Sequence, residues 1–126
     1  MVGHTGDFRA ATIAIEALDL ALGRLLGAVD AAGGVALITA DHGNADEMFE
    51  LDKKTGLPAT HKDGSFKAKT AHTLNPVPLI LFGKAAAGLS LRQTETAGLS
   101  NLGATIANLL GLEAHPAWDE SLLEWR

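Results

Sequence analysis

The stretch Val35–Asn44, which reads VALITADHGN, decides the fold class that the sequence predicts. Its first five residues form a short, partly β-branched run without polar alternation, a pattern typical of a strand buried on both faces of a parallel sheet. The run leads directly into Asp41 and His42. Because ligands of open α/β sheets gather at the carboxyl ends of strands, these two residues are the first candidates for chemistry.

The segments on either side of this strand predict an α/β fold. Apolar residues recur every three or four positions across Phe8–Ala31, which predicts one long helix whose apolar stripe is core rather than a partner surface. Asp7 is placed to cap the first turn of that helix. Val77–Phe82 predicts a second core strand and Leu102–Leu110 a second helix. We therefore expect a mostly parallel sheet flanked by helices.

Two further segments complete the expected architecture. Residues 45–70 carry no strong core pattern and contain the turn-like stretches Lys53–Gly56 and Lys62–Ser65, so we predict a hairpin-like excursion there. Leu89–Leu91 predicts a brief strand. The tail contains Trp118 and Trp125 without a clear period, and its apolar side chains are expected to dock on a surface that the sequence does not identify.

Length, composition and charge limit the functional classes. The chain has 126 residues, 47% hydrophobic and 20% charged, which predicts one globular domain over residues 1–126. The absence of cysteine excludes disulfides and thiolate zinc sites. The formal net charge of -5, without a long basic cluster, argues against nucleic-acid partners. No apolar run approaches the roughly 18 residues of a membrane span, so we expect a cytoplasmic protein without membrane partners.

Three short segments, Gly3–Gly6, Thr39–Asn44 and Thr70–Thr73, each place an imidazole beside small residues that let the backbone approach a ligand closely. A mixture of carboxylate and neutral imidazole donors suits Mn²⁺ or Zn²⁺. An Asp-His pair also caps turns, and a histidine near a terminus is commonly solvated, so the spacing alone favours a metal site only weakly. The candidate metal ligands are His4, Asp41, His42 and His72.

Longer motifs around these histidines carry a family resemblance. Met1–Gly6 (MVGHTG), Ala40–Met48 (ADHGNADEM) and Thr70–Pro78 (TAHTLNPVP) resemble, in this order, the cofactor-independent phosphoglycerate mutase family. Leu99–Leu112 resembles the final helix of that family. The resemblance implies that the chain is the C-terminal part of an alkaline-phosphatase-like domain. The Thr70–Pro78 motif separates this family from other members of the alkaline phosphatase superfamily.

The resemblance also implies a reaction and a set of ligands. Complete members of the family are metal-dependent mutases that bind two Mn²⁺ ions and interconvert 3-phosphoglycerate and 2-phosphoglycerate through a phosphoserine. Asp41 and His42 resemble the ligands of the metal that also holds the nucleophilic serine. His4 and His72 resemble the two histidine ligands of the other metal.

Some parts of the family pattern have no counterpart in this sequence. The motif before Met1, the segment with the nucleophilic serine and the substrate-binding domain are all unmatched. Ser65 and Ser90 lie in no matching motif, so no catalytic residue is assigned. The sequence therefore predicts an incomplete domain that is inactive alone, with phosphoglycerate as the substrate of the complete enzyme.

Other functions remain open at this stage. In the first, His4, Asp41, His42 and His72 bind a single Zn²⁺ ion in a non-catalytic module. In the second, the chain holds no metal and self-associates through exposed sheet edges. In the third, it belongs to a different hydrolase of the alkaline phosphatase superfamily.

Overall fold

The computed structural model describes residues 1–126, which form two compact units. The first unit comprises Met1–Gly27 and Thr39–Leu79, and the second comprises Ala28–Ile38 and Ile80–Arg126. The prediction of one domain over residues 1–126 stays a prediction. The helices and strands are α1 (Phe8–Ala31), β1 (Ala36–Thr39), β2 (Leu79–Phe82), β3 (Leu89–Leu91), α2 (Leu102–Leu109) and β4 (Leu123–Trp125). Short 3₁₀ helices cover Val2–Thr5, Lys84–Ala86 and Leu99–Asn101.

Helix α1 has the bounds that the apolar stripe predicts, and Asp7 caps it by accepting a hydrogen bond from the Ala10 N–H at 3.0 Å. The prediction that its stripe is core is wrong. Ala11 is the only buried residue of the helix, and the Leu18 side chain on the same stripe is 64% exposed. The spacing predicts which side of a helix is apolar, but this chain supplies too few side chains to cover that side. None of the helices combines the length and the apolar character that crossing a bilayer requires.

The α/β class is confirmed, but the mostly parallel sheet is not found. β1 pairs with β2 and β3 pairs with β4, so each sheet has only two strands. The β3–β4 pair is antiparallel, with Leu89 opposite Trp125 and Leu91 opposite Leu123. A mostly parallel sheet needs several strands joined by helical crossovers, and this chain does not supply them. Strand β4 lies in the tail, whose sequence shows no strand period.

The excursion at residues 45–70 is hairpin-like, as predicted, but contains three short segments rather than two. Antiparallel bridges join Phe49 to Ala68, Leu51 to Pro58 and Thr60 to Phe66. Three backbone hydrogen bonds connect the same segments: the Ala59 N–H donates to Glu50, the Glu50 N–H to Lys67, and the Lys67 N–H to Ala59, at 2.7–2.9 Å. Each segment therefore pairs with both of the others.

The second unit is centred on Thr105, which is fully buried in α2. Its hydroxyl donates to the Asn101 carbonyl at 2.8 Å and accepts the Leu122 N–H at 3.0 Å. The Asn101 side chain accepts the Gly98 N–H and donates to the Glu120 carbonyl, both at 2.8 Å. These hydrogen bonds attach the segment that leads into β4 to the start of α2.

Replacing Thr105 by valine should lower the free energy of unfolding by about 1–3 kcal/mol, because the buried Leu122 N–H loses its acceptor. Urea unfolding of the two proteins measures the difference. Thr12→Val is the matched control, since the Thr12 hydroxyl also donates to a helical carbonyl but is exposed. An equal loss of unfolding free energy in both variants would contradict the role of the Thr105 hydroxyl as the acceptor of the Leu122 N–H.

Candidate metal centre

Three histidines from the three motifs converge in the first unit. His4 lies in the 3₁₀ helix before α1, His42 follows β1 and His72 precedes β2. Their potential ligand atoms all lie within 4.8 Å of one another. The rings of His42 and His72 are nearly parallel, with centroids 3.5 Å apart, and the ring of His4 lies 5.1 Å from that of His72. We call these three residues the His triad.

The triad depends on a backbone contact beside two of its members. The residues that follow His42 and His72, Gly43 and Thr73, form an antiparallel bridge in which the Thr73 N–H donates to the Gly43 carbonyl at 2.9 Å. A Cβ atom on Gly43 would lie 2.1 Å from the Thr73 hydroxyl oxygen. A larger residue at this position would therefore overlap the Thr73 hydroxyl unless the Thr73 side chain or the backbone shifted.

Backbone carbonyls orient two of the imidazoles. His4 Nδ1 lies 2.7 Å from the Thr70 carbonyl and His42 Nδ1 lies 3.1 Å from the Gly43 carbonyl. Because a carbonyl oxygen only accepts, Nδ1 is the donor in each ring, and in the neutral tautomer with this proton Nε2 keeps the lone pair that a metal needs. Such hydrogen bonds commonly fix the tautomer of metal-binding histidines.

The fourth predicted ligand lies at the rim of this site. The carboxylate of Asp41 is 3.7 Å from His42 Nε2, but its side chain is 88% exposed and it is outside the His triad. The structure therefore brings together three of the four predicted ligands. The division of the four residues between two metal ions stays a prediction.

A polar network beside the triad was not predicted from the sequence. Asp46 accepts hydrogen bonds from the Thr73 hydroxyl at 2.9 Å and the Asn75 amide at 2.5 Å. Glu47 accepts from the same amide at 2.9 Å and pairs with Lys69. We call these five residues the Asn75 clamp. It ties the segment after His42 to the segment after His72. Its members lie within or beside the two quoted motifs, but nothing in the sequence shows that they pair.

The clamp changes the acid–base behaviour of its carboxyl groups. The hydrogen bonds from Asn75 and then Thr73 lower the pKa of Asp46. The hydrogen bond from Lys69, with a second from Asn75, lowers the pKa of Glu47. Both groups are therefore held as carboxylates, which fits acceptors that receive two donors each.

The donor set fits a divalent transition metal. Three imidazoles with exposed or half-buried rings leave coordination positions open, as in catalytic sites with three histidine ligands. Neutral imidazole donors suit zinc and other first-row metals, and a carboxylate such as that of Asp41 adds the oxygen donor that manganese prefers.

Comparison with known proteins agrees with this geometry. A family model described as the Metalloenzyme superfamily matches residues 1–114. The chain belongs to the metalloenzyme superfamily. It is 46% identical to the probable 2,3-bisphosphoglycerate-independent phosphoglycerate mutase 2 of Arabidopsis thaliana and 49% identical to the corresponding mutase of Trypanosoma brucei brucei, over 98% of its length. The resemblance to this mutase family that the motifs indicate is thereby confirmed.

A solved structure has the same fold. The phosphoglycerate mutase of Leishmania mexicana, crystallised at low cobalt concentration, matches with a TM-score of 0.92 and 42% identity over 99% of this chain. The chain spans only 22–23% of the length of these relatives.

Replacing Gly43 by alanine should separate the two histidine segments and lower the free energy of unfolding by about 1–3 kcal/mol, because the new methyl group overlaps Thr73. Gly23→Ala is the matched control: nothing lies within 4 Å of its Cβ position in α1, so alanine should be neutral or stabilising there. Chemical denaturation of the three proteins checks both expectations. A harmless Gly43→Ala would show that the close approach is not required.

The Asn75 clamp should make the free energy of unfolding depend on pH. A carboxyl group with a lowered folded-state pKa stabilises the protein above its unfolded pKa, near 4, and this contribution is lost as pH falls through the folded pKa. Asp46→Asn should therefore destabilise the protein at pH 7, with a difference that shrinks below about pH 4. Urea unfolding at pH 7, 4 and 3 measures it. A difference that stays constant over this range would exclude the assigned hydrogen bonds.

Proposed function

We propose that this chain is the metal-binding part of a cofactor-independent phosphoglycerate mutase, an isomerase that interconverts 3-phosphoglycerate and 2-phosphoglycerate. The observation that carries the proposal is the convergence of the His triad from three separate motifs. The proposed reaction is that of the phosphoglycerate mutases that match nearly all of this chain. The proposed metal ligands are His4, Asp41, His42 and His72.

The residues of this chain act as ligands and as supports for ligands. His4 and His42 leave Nε2 available for a metal, because a backbone carbonyl faces Nδ1 of each ring. The exposed carboxylate of Asp41 adds an anionic oxygen at the rim. When bound, a divalent metal would polarise the phosphoryl oxygens and offset the negative charge that develops during transfer. The cobalt named for the Leishmania mexicana structure supports a first-row divalent ion.

The phosphoserine step requires a nucleophile that we assign to another part of the mutase polypeptide. Ser65 lies in the excursion, where its hydroxyl donates to Asp63 at 2.6 Å. Ser90 lies in β3, opposite Glu124, in the other unit. The two remaining serines, Ser100 and Ser121, also lie in the other unit. No serine of this chain is hydrogen-bonded to a histidine of the triad, so we expect no mutase turnover from this chain alone.

Titration with Mn²⁺, Zn²⁺ and Co²⁺ should raise the unfolding midpoint, because an ion that binds only the folded state stabilises it by about 2.7 kcal/mol at 100 times its Kd. His72→Ala should abolish the rise. His61→Ala is the matched control, since His61 is an exposed histidine of the excursion outside the triad. A rise that survives His72→Ala, or no rise with any ion, would refute metal binding by the triad.

A titration followed to saturation, with the bound metal measured, counts the ions that each chain binds. The complete mutase is proposed to use two Mn²⁺ ions. A single Zn²⁺ ion in a non-catalytic module is the second candidate, and the short distances between the potential ligand atoms of the three histidines, all within 4.8 Å, favour it for this chain. Two equivalents bound at saturation support the first arrangement, and one equivalent supports the second.

The cytoplasmic location stays a prediction.

A further inference from the structure

The side chain of Asn44 lies where the three histidine segments meet in the first unit. Its amide nitrogen donates hydrogen bonds to the Ala71 carbonyl at 3.1 Å and to the Thr70 carbonyl at 3.4 Å. Both partners are carbonyl oxygens, which only accept, so the amide is oriented with Nδ2 toward them. This half-buried side chain therefore joins the segment that contains His42 to the segment that contains His72.

The same amide also lies against the segment that contains His4. The Thr70 carbonyl that receives Asn44 Nδ2 is 2.7 Å from His4 Nδ1, and the two nitrogens are 3.5 Å apart. Both nitrogens are donors, and a carbonyl oxygen has two lone pairs, so one oxygen accepts from both side chains. The position of the Thr70 carbonyl, and with it the orientation of the His4 ring, is therefore coupled to Asn44.

The other end of the amide packs against the residue before His4. A Cβ atom on Gly3 would lie 1.9 Å from Asn44 Oδ1, so a methyl group there would displace the amide. Gly3 lies in the 3₁₀ helix Val2–Thr5 and does not have a positive φ, so its backbone accepts alanine. The effect of Gly3→Ala would therefore be transmitted through Asn44.

We propose that Asn44 is a positioning residue of the candidate metal centre, which orients His4 through the shared Thr70 carbonyl and holds the three histidine segments together. The Gly43–Thr73 bridge joins only the segments of His42 and His72, and Asn44 adds the segment of His4 to this pair. Asn44 is not assigned as a ligand, because its amide is occupied by backbone groups at both ends. The part of the inference that concerns metal binding rests on the proposed function.

Metal affinity tests the positioning role in the intact chain. Calorimetric titration with Zn²⁺ should give a Kd about 10–100-fold higher for Asn44→Ala than for the unaltered chain, the usual effect of losing a group that orients a metal ligand. Asn108→Ala is the matched control and should leave the Kd unchanged. The Asn108 amide also donates to a backbone carbonyl, that of Leu112 at 3.0 Å, but lies in the other unit.

A double-mutant cycle with Gly3→Ala tests the contact itself. Gly3→Ala alone should raise the Kd for Zn²⁺, because its methyl group displaces the Asn44 amide. In the Asn44→Ala background it should have no further effect, because residues in contact are not additive. Independent losses of stability would instead add, so additive effects on the Kd would refute the role of Asn44.

Nuclear magnetic resonance of the metal-free chain separates this proposal from the proposed function. At about pH 8, where an ordinary histidine is neutral, ring ¹⁵N shifts show which nitrogen carries the proton. His4 should be protonated at Nδ1 in the unaltered chain and become a mixture of tautomers in Asn44→Ala. His61, an exposed histidine outside the triad, is the internal control and should not change.

An unchanged His4 tautomer, or an unchanged Kd in a chain that binds Zn²⁺, overturns the proposal. A changed tautomer in a chain that binds no Zn²⁺ refutes the proposed function but supports the orientation of His4 by Asn44. If Asn44→Ala does not fold, Gly3→Ala supplies both readouts, because it leaves every hydrogen-bonding group of the site in place.

Discussion

The arrangement of the candidate metal centre depends on one backbone contact, the antiparallel bridge between Gly43 and Thr73. Each partner directly follows a histidine, so the bridge sets the distance between the His42 and His72 rings. The absence of a side chain on Gly43 permits the contact, and the Asn75 clamp reinforces it from the same side. Main-chain geometry, rather than contacts between the histidines themselves, thus positions two of the three imidazoles.

Local sequence signals predict the bounds of the helices and strands more accurately than they predict what packs against these elements. The bounds of α1 follow from its apolar repeat and from Asp7, both of which act within a few residues. The same repeat cannot show what covers the helix, and the stripe predicted as core is exposed around Leu18. The parallel sheet was predicted from a continuous apolar run, but strand direction depends on partners distant in sequence. Strand β4 has no period of its own and exists through its pairing with β3.

In the candidate site too, features with a local sequence signal could be predicted, whereas contacts between distant residues could not. The motif resemblance identified the histidines of the triad, because each is surrounded by characteristic neighbours. It also included Asp41, whose position at the rim depends on the direction in which the chain leaves β1. The clamp could not be predicted, since Asn75 reaches Asp46 and Glu47 across the whole excursion. Such pairings follow from the folded backbone and have no signal in a single sequence.

The closed pairing of the three segments in the excursion has a consequence for variation in chain length. Glu50, Ala59 and Lys67 are joined in a ring of hydrogen bonds, and the turns at Lys53–Gly56 and Lys62–Ser65 lie outside it. Residues added at either turn lengthen a surface loop, and each doubling of a flexible loop costs only about 0.6 kcal/mol in closure entropy. Because of this ring, a change in the length of either turn leaves the positions of the two histidine segments unaltered. Homologous chains can lengthen or shorten these tips, or carry new contacts there, while His42 and His72 remain side by side.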